Sequence, residues 1–337
     1  MTNLKTNYMG LELKNPIVVG ANNLVTNVTS LKKMEEAGAA AVVFKSLFEE
    51  QIQLETAQMD DEMDEYAERH AEMTSLFPNL EHAGPREHLM NVQHAREALS
   101  IPLIASLNAI YDETWLEYAK LLEDKGVDGL ELNFYSVPRD PVVSGEDIIN
   151  NQLEILKKVK GSISIPVSVK LSPFYANPLN VIDRMDKAGV DAFVLFNRIF
   201  QNEIDLDNEK FVVDFPLSEA SENKLPLRYA GLLYGRIKAG IISNTGIQQG
   251  ADVVKMILAG ADAVQVVGTL YKNKVQHISK MLKDMEAWME TKAYKSLKDF
   301  RGKLSNKQIN DPFIYKRAQY VDLLLKSDEL FKKEGLI

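Results

Sequence analysis

EAGAAAVVF (36–44), DKGVDGLEL (124–132), KAGVDAFVL (187–195) and LAGADAVQV (258–266) are one phrase written four times. In each, a helical stretch stops at a glycine (Gly38, Gly126, Gly189 or Gly260) and an apolar run follows within a few residues. A glycine just past a helix takes the left-handed conformation without a Cβ penalty, so the phrase predicts helix, tight turn, buried strand. Two more units, SIPLIASLN (100–108) and SIPVSVKLS (164–172), place a proline at the first strand position, where a missing N–H is tolerated.

Working outward, the apolar runs fall at 16–21, 40–45, 102–107, 129–134, 166–171, 192–197, 240–244 and 263–268. Most are continuous rather than alternating, which marks parallel strands covered on both faces. Helical patterns at 30–37, 114–124, 146–160, 178–188, 225–238 and 250–259 lie between most of them. Strands alternating with helices in this way predict one α/β domain over residues 1–337, a (β/α)8 TIM barrel. A doubly wound open sheet is the alternative, but no G-x-G-x-x-G follows the first strand. Two intervals break the rhythm: 47–99, expected as a lid insertion after strand two, and 198–224, after strand six. In a barrel both emerge at the C-terminal face. Residues 290–337 are expected as a charged helical C-terminal extension for capping or oligomer contact, with a break at Asp311-Pro312.

The composition sets outer bounds. With 337 residues, 45% hydrophobic and 26% charged, the chain is ordinary globular protein. It holds no cysteine, so these residues form no disulfide, thiolate nucleophile, Cys-ligated zinc site or iron–sulfur cluster. The net charge of −9 is local, because Glu49 to Glu72 carries −9 by itself and the rest of the chain balances. Such a run reads as a solvated helical face. The absence of a basic stripe argues against nucleic acid, and the absence of a long apolar run argues against a membrane. Without an export signal at the N-terminus, a cytoplasmic location is expected. His82, His88 and His94 are six apart, do not share a helix face, and read as surface residues.

A barrel's chemistry sits at the C-terminal ends of its strands. Here those ends carry Gly20-Ala21-Asn22-Asn23, Lys45-Ser46, Ser106 and Asn108, Glu131 and Asn133, Lys170-Leu171-Ser172, Asn197-Arg198, Ser243-Asn244-Thr245-Gly246 and Gly268-Thr269. One such residue is usually bonded to nearby backbone. Polar groups around the whole rim ask for a ligand rich in donors and acceptors. Gly246 and Gly268-Thr269 would let backbone N–H groups approach a phosphate, although helix starts and tight turns use the same residues. Lys45 and Lys170 lie inside apolar runs, where an unanswered ammonium is costly. They read either as Schiff-base nucleophiles, which would make the protein a lyase or aldolase, or as fixed cations beside an electron-rich cofactor ring. A barrel that binds without turnover is a third possibility.

Taken together, NPIVVGANN (15–23), VVFKS (42–46), ASLNA (105–109), ELNFYS (131–136), VSVKLSP (167–173) and AGADAVQVVGT (259–269) resemble the dihydroorotate dehydrogenase family. The resemblance implies an FMN-dependent barrel that oxidises dihydroorotate to orotate in pyrimidine biosynthesis, of the soluble fumarate-linked kind and expected as a homodimer. It places flavin contacts on Ala21, Lys45, Ser46, Asn108, Asn133, Lys170, Gly246, Gly268 and Thr269, and substrate contacts on Lys45, Asn133 and Asn197. Arg198, beside Asn197, could hold a carboxylate. The catalytic base falls on Ser136, a hydroxyl that needs hydrogen bonding and shelter from water to act. The chain departs from the family at Phe134-Tyr135-Ser136-Val137-Pro138, at Thr245-Gly246 where paired glycines are usual, and at Met73 where a substrate-binding Asn is expected beside LFPNL (76–80).

Overall fold

Two short antiparallel strands, β1 (Thr6–Tyr8) and β2 (Leu11–Leu13), precede a closed parallel barrel. Its first strands are β3 (Ile17–Val19) and β4 (Ala41–Val43), the latter continued by β5 (Leu47–Phe48). There follow β6 (Leu103–Asn108), β7 (Gly129–Asn133), β8 (Val167–Leu171) and β9 (Ala192–Leu195). A separate hairpin of β10 (Glu203–Asp205) and β11 (Lys210–Val212) comes next, then β12 (Gly240–Asn244) and β13 (Ala263–Val266) close the ring. Each barrel strand pairs in parallel with its neighbour, β13 returns to β3, and β4 pairs with β6. This computed structural model describes residues 2–53, 85–135, 140–198, 202–212, 216–316 and 318–333.

The eight strands fall within the apolar runs read from sequence, apart from a one-residue overrun at Asn108 and the β5 continuation of strand two, which lies in the interval 47–99. The four phrase glycines have positive φ, from +76° at Gly126 to +134° at Gly260, as helix-ending residues should. Helices Val28–Glu36, Asp112–Asp124, Gly145–Ser162, Pro178–Lys187, Lys224–Leu233 and Gly250–Ala259 pack outside. The helix expected to run to residue 238 stops at Leu233, because the chain turns at Gly235 (φ +69°) and the Asp186 carboxylate accepts from Lys238 and Ala239 N–H. Part of the interval 47–99 belongs to the wall of the barrel. Pro85–Ala98 is a helix that buries Val92 and Ala95 in the layer between strands and helices. Residues 54–84, where a lid was expected, lie outside the described residues.

The β1–β2 hairpin closes the N-terminal floor. Tyr8 is fully buried and donates to Ser168 Oγ at 3.2 Å, while Thr6 Oγ1 donates to the Asp262 carbonyl at 2.7 Å. Beyond the long helix His277–Thr291, Phe300 sits against Trp288 and Tyr294. The tail carries 3-10 turns at Leu297–Asp299 and Pro312–Tyr315 and helices at Ala318–Leu325 and Ser327–Lys333. Asn3 N–H donates to the Lys295 carbonyl at 2.7 Å, tying the start of the barrel to its end. Among the described residues no helix is long and apolar enough to cross a membrane.

Candidate active site

Along each barrel strand, side chains alternate between the surrounding helices and the barrel interior. Ile17, Val19, Val42, Leu103, Leu130, Val169 and Phe193 belong to the outer layer, whereas Val18, Ala41, Val43, Ile104, Val194, Ile242 and Ala263 fill the interior above Tyr8 and Leu13. Following the inward series toward the strand C-termini, the chemistry changes. Ile104 gives way to Ser106 and Asn108, Gly129 to Glu131 and Asn133, Ser168 to Lys170, Ile242 to Asn244, and Ala263 to Gln265. All of these polar residues are buried. The same period that builds an apolar floor therefore builds a polar mouth.

Strand two breaks this parity deliberately. Val43 pairs with Ile104, but Leu47 pairs with Leu107, so four steps along one strand match three on the other. One extra residue is accommodated at Phe44-Lys45-Ser46, which is the geometry of a β-bulge. In strict alternation Ser46 would face the helices. With the bulge its Oγ meets Ser106 Oγ inside the barrel at 2.7 Å.

Several rim residues are bonded to one another. Asn197 Nδ2 donates to Asn133 Oδ1 at 2.6 Å, and Asn133 Nδ2 donates to Ser46 Oγ at 3.4 Å. Asn108 Nδ2 donates to the carbonyls of Asn133 (2.6 Å) and Tyr135 (3.1 Å), fixing the start of the loop after β7. Lys170 Nζ donates to Gln265 Oε1 at 3.4 Å and lies 3.8 Å from Glu131 Oε1. Ala21 is half-buried against the interior cluster and Lys45 is half-buried beside the bulge. One network thus joins Ser46, Asn108, Asn133 and Asn197, and a second joins Lys170 to Gln265 and Glu131. Ser136 and Met73, together with LFPNL (76–80), fall outside the described residues.

The ends of β12 and β13 are shaped by one overlying segment. Thr245 and Gly246 both have positive φ (+78° and +73°), and Thr245 Oγ1 donates to the Phe196 carbonyl at 3.1 Å. A Cβ on Gly246 would lie 2.4 Å from Asn223 N, and one on Gly268 would lie 2.9 Å from Ser218 Oγ. Glycine is needed here for the approach of residues 218–223. Thr269 Oγ1 donates to the Gln248 carbonyl at 2.9 Å. Arg198 belongs to the same enclosure: its Nε donates to Glu222 Oε2 at 2.9 Å and its Nη1 to the Pro216 carbonyl.

A family model described as dihydroorotate dehydrogenase matches residues 3–289. The chain belongs to the dihydroorotate dehydrogenase family. It is 28% identical over 311 residues to the dihydroorotate dehydrogenase B (NAD(+)) catalytic subunit of Thermoplasma volcanium, covering 90% of this chain and 98% of that protein. It is similar also to proteins of the same name from Methanocaldococcus jannaschii (28% over 279 residues, 80% of this chain and 87% of the relative) and Methanosarcina mazei (29% over 299 residues, 87% and 92%). As a member of the dihydroorotate dehydrogenase family, the chain is an oxidoreductase acting on a CH–CH bond. The family is flavin-dependent, and the mouth offers what a flavin ring requires. Ammonium, amide and hydroxyl groups converge there above an apolar floor, and Gly20 lets Val267 and Gln265 pack close against the end of β3, where a Cβ would sit 2.9 Å from Val267 Cγ2 and 3.2 Å from Gln265 Oε1.

Three readings from sequence are corrected. His88 is buried, not superficial: its ring meets Phe44 edge-on at 5.4 Å, and burial first, then the charge of Lys45, lowers its pKa to about 4. Glu49, counted in a solvated acidic face, is buried and accepts from Ile110 N–H at 3.0 Å and Thr114 Oγ1 at 3.2 Å, steadying the loop after β6. Glu131 and Gln265 were missed as partners of Lys170. The signal was present in the sequence, since each lies an even number of residues from an inward-facing neighbour and is polar inside an apolar strand.

Proposed function

We infer that this chain binds FMN at the barrel mouth and oxidises dihydroorotate to orotate, a step of pyrimidine biosynthesis. The observation that carries this reading is the polar mouth of buried Ser46, Asn108, Asn133 and Lys170 with half-buried Asn197, in a chain of this family. FMN, when bound, supplies the two-electron acceptor that side chains lack. Lys170 offers a fixed positive charge beside the ring, with Lys45, Ser46, Asn108 and Ala21 around it. Gly246, Gly268 and Thr269 would hold the phosphate under the segment 218–223. Asn133 and Asn197 present amides, each with a donor and an acceptor edge, to the substrate ring. Ser136 takes the substrate proton, a role that requires its hydroxyl to be hydrogen-bonded and sheltered from water.

The engagement of Lys170 with Glu131 and Gln265 argues against a Schiff-base lyase, because such a lysine must be free to lose its proton and attack. Anaerobic titration tests the reading. Purified protein is expected to carry the absorption bands of oxidised flavin, to release FMN on denaturation, and to bleach on addition of dihydroorotate. A flavin that bleaches with dithionite but not with millimolar dihydroorotate would assign the site to a related cyclic or acidic substrate.

The electron acceptor has two readings. The resemblance implied fumarate, whereas the relatives bear the name of an NAD(+)-linked catalytic subunit, which favours delivery through a partner protein. Mixing photoreduced protein with fumarate separates them: rapid reoxidation supports the first, and a flavin that stays reduced supports the second.

A further inference from the structure

Glu131 has no exposed surface and stands on β7 one inward position below the mouth. Its Oε2 accepts from Gln265 Nε2 at 2.5 Å, while its Oε1 has no hydrogen-bond partner and faces Lys170 Nζ at 3.8 Å. The Gln265 amide is held from both sides, since its Oε1 accepts from Lys170 Nζ at 3.4 Å. Turning that amide over would set NH2 against an ammonium and oxygen against a carboxylate, so the two charges select one orientation. From the floor, Tyr8 faces the same group. Burial first, and the Glu131 charge second, raise the Tyr8 pKa, leaving a neutral phenol that donates to the neutral Ser168 hydroxyl.

A buried carboxylate or ammonium is tolerated when answered by its opposite, and removing one partner strands the other. We propose that Glu131 is a positioning residue that keeps Lys170 a charged, fixed donor at the barrel mouth. Glu131 is too deep to meet a ligand itself, so it acts through Lys170, directly and by way of the Gln265 amide. Its bearing on redox chemistry rests on the reading of Lys170 as the residue beside the flavin, because a charge near the ring tunes the cofactor.

The test is an NMR titration of the full chain carrying 13Cε-labelled lysine, with the Lys170 signal assigned by its loss in Lys170→Met. In Glu131→Gln, which keeps the shape and removes the charge, Lys170 is expected to lose its proton at least tenfold more readily. Glu131→Asp restores most of that shift. An unchanged Lys170 titration in Glu131→Gln overturns the proposal. Where Glu131→Gln does not fold, thermal unfolding of Glu131→Met combined with Lys170→Met decides. Recovery of folding relative to Glu131→Met alone supports the pair, and no recovery overturns it.

The flavin potential gives the second readout. Glu131→Gln is expected to move the reduction equilibrium of bound FMN at least tenfold, about 30 mV for a two-electron couple, and not to do so in a Lys170→Met background. A shifted Lys170 titration in protein that takes up no FMN would uphold the positioning role and remove the flavin reading instead.

Discussion

Asn197 Nδ2 donates to Asn133 Oδ1 at 2.6 Å, joining two strand ends that are separated in the barrel by β8. The bond bridges over the end of β8 and makes the two amides one unit. Asn133→Ala is expected to cost about 1 kcal/mol, the net worth of a hydrogen bond whose donor, on half-buried Asn197, keeps some access to water. Asn197→Ala added to it should cost much less than it does alone, since residues sharing a hydrogen bond are not additive. Urea unfolding of the two single variants and the double variant measures this, and simple additivity would show that the bond does not couple them.

Ser136 and Lys170 divide the work differently. Ser136→Ala should retain FMN yet slow its reduction by dihydroorotate by roughly 10²–10⁴-fold, the contribution of a general base. Lys170→Ala should weaken FMN binding or change its reduction, because it removes a fixed charge from the mouth. Stopped-flow absorbance resolves the two, and a Ser136→Ala protein reduced at the wild-type rate would move the base elsewhere.

His88 gives the fold a pH dependence of known sign. Its folded-state pKa is lowered from 6.5 to about 4 by burial and by Lys45, so the unfolded chain binds this proton more readily. Stability therefore falls as pH drops from about 6.5 to about 4, by a total of order 3 kcal/mol. His88→Phe should flatten that part of the profile of urea midpoint against pH. An unaltered slope in the variant would assign the acid sensitivity to other groups.

Gly246→Ala tests the enclosure over β12 and β13. A residue at φ +73° is strained, and the new methyl would meet Asn223 N at 2.4 Å and the Glu219 carbonyl at 2.9 Å. A loss of more than about 1 kcal/mol is expected from the backbone conformation alone. Calorimetry should show a lower Tm, and hydrogen exchange should quicken over residues 218–223. A variant that unfolds and exchanges like the wild type would mean that this segment does not depend on the glycine.

Much of the fold was legible because its signals are local. A glycine that ends a helix and an apolar run that follows it are readable over nine residues, and four such phrases fixed half the barrel. The helix overrun at 234–238 came from judging periodicity without the carboxylate of Asp186, which lies on another helix. The site was legible at Lys170, Asn133 and Asn197, where a polar residue interrupts or ends a strand. Ser46 was also read as a strand-end residue, but the bulge that turns it inward was illegible, because a bulge is visible only when two strands are laid side by side. His88 and Glu49 were misread for a similar reason: neither helix face nor local charge reveals that Phe44 and the loop after β6 will cover them.

The closed floor also has a consequence for biosynthesis. Asn3 bonds to Lys295, Thr6 to Asp262 and Tyr8 to Ser168, so β1 pairs with β2 close by in the chain but finds these three anchors only far along it. A nascent chain arrested before residue 262 holds β1 with two of its three anchors missing, whatever has formed of the wall. The N-terminal hairpin thereby gains its full set of anchors only when residues 168, 262 and 295 are all present. A truncated product exposes Tyr8 and Leu13, two apolar side chains that only the whole ring can bury.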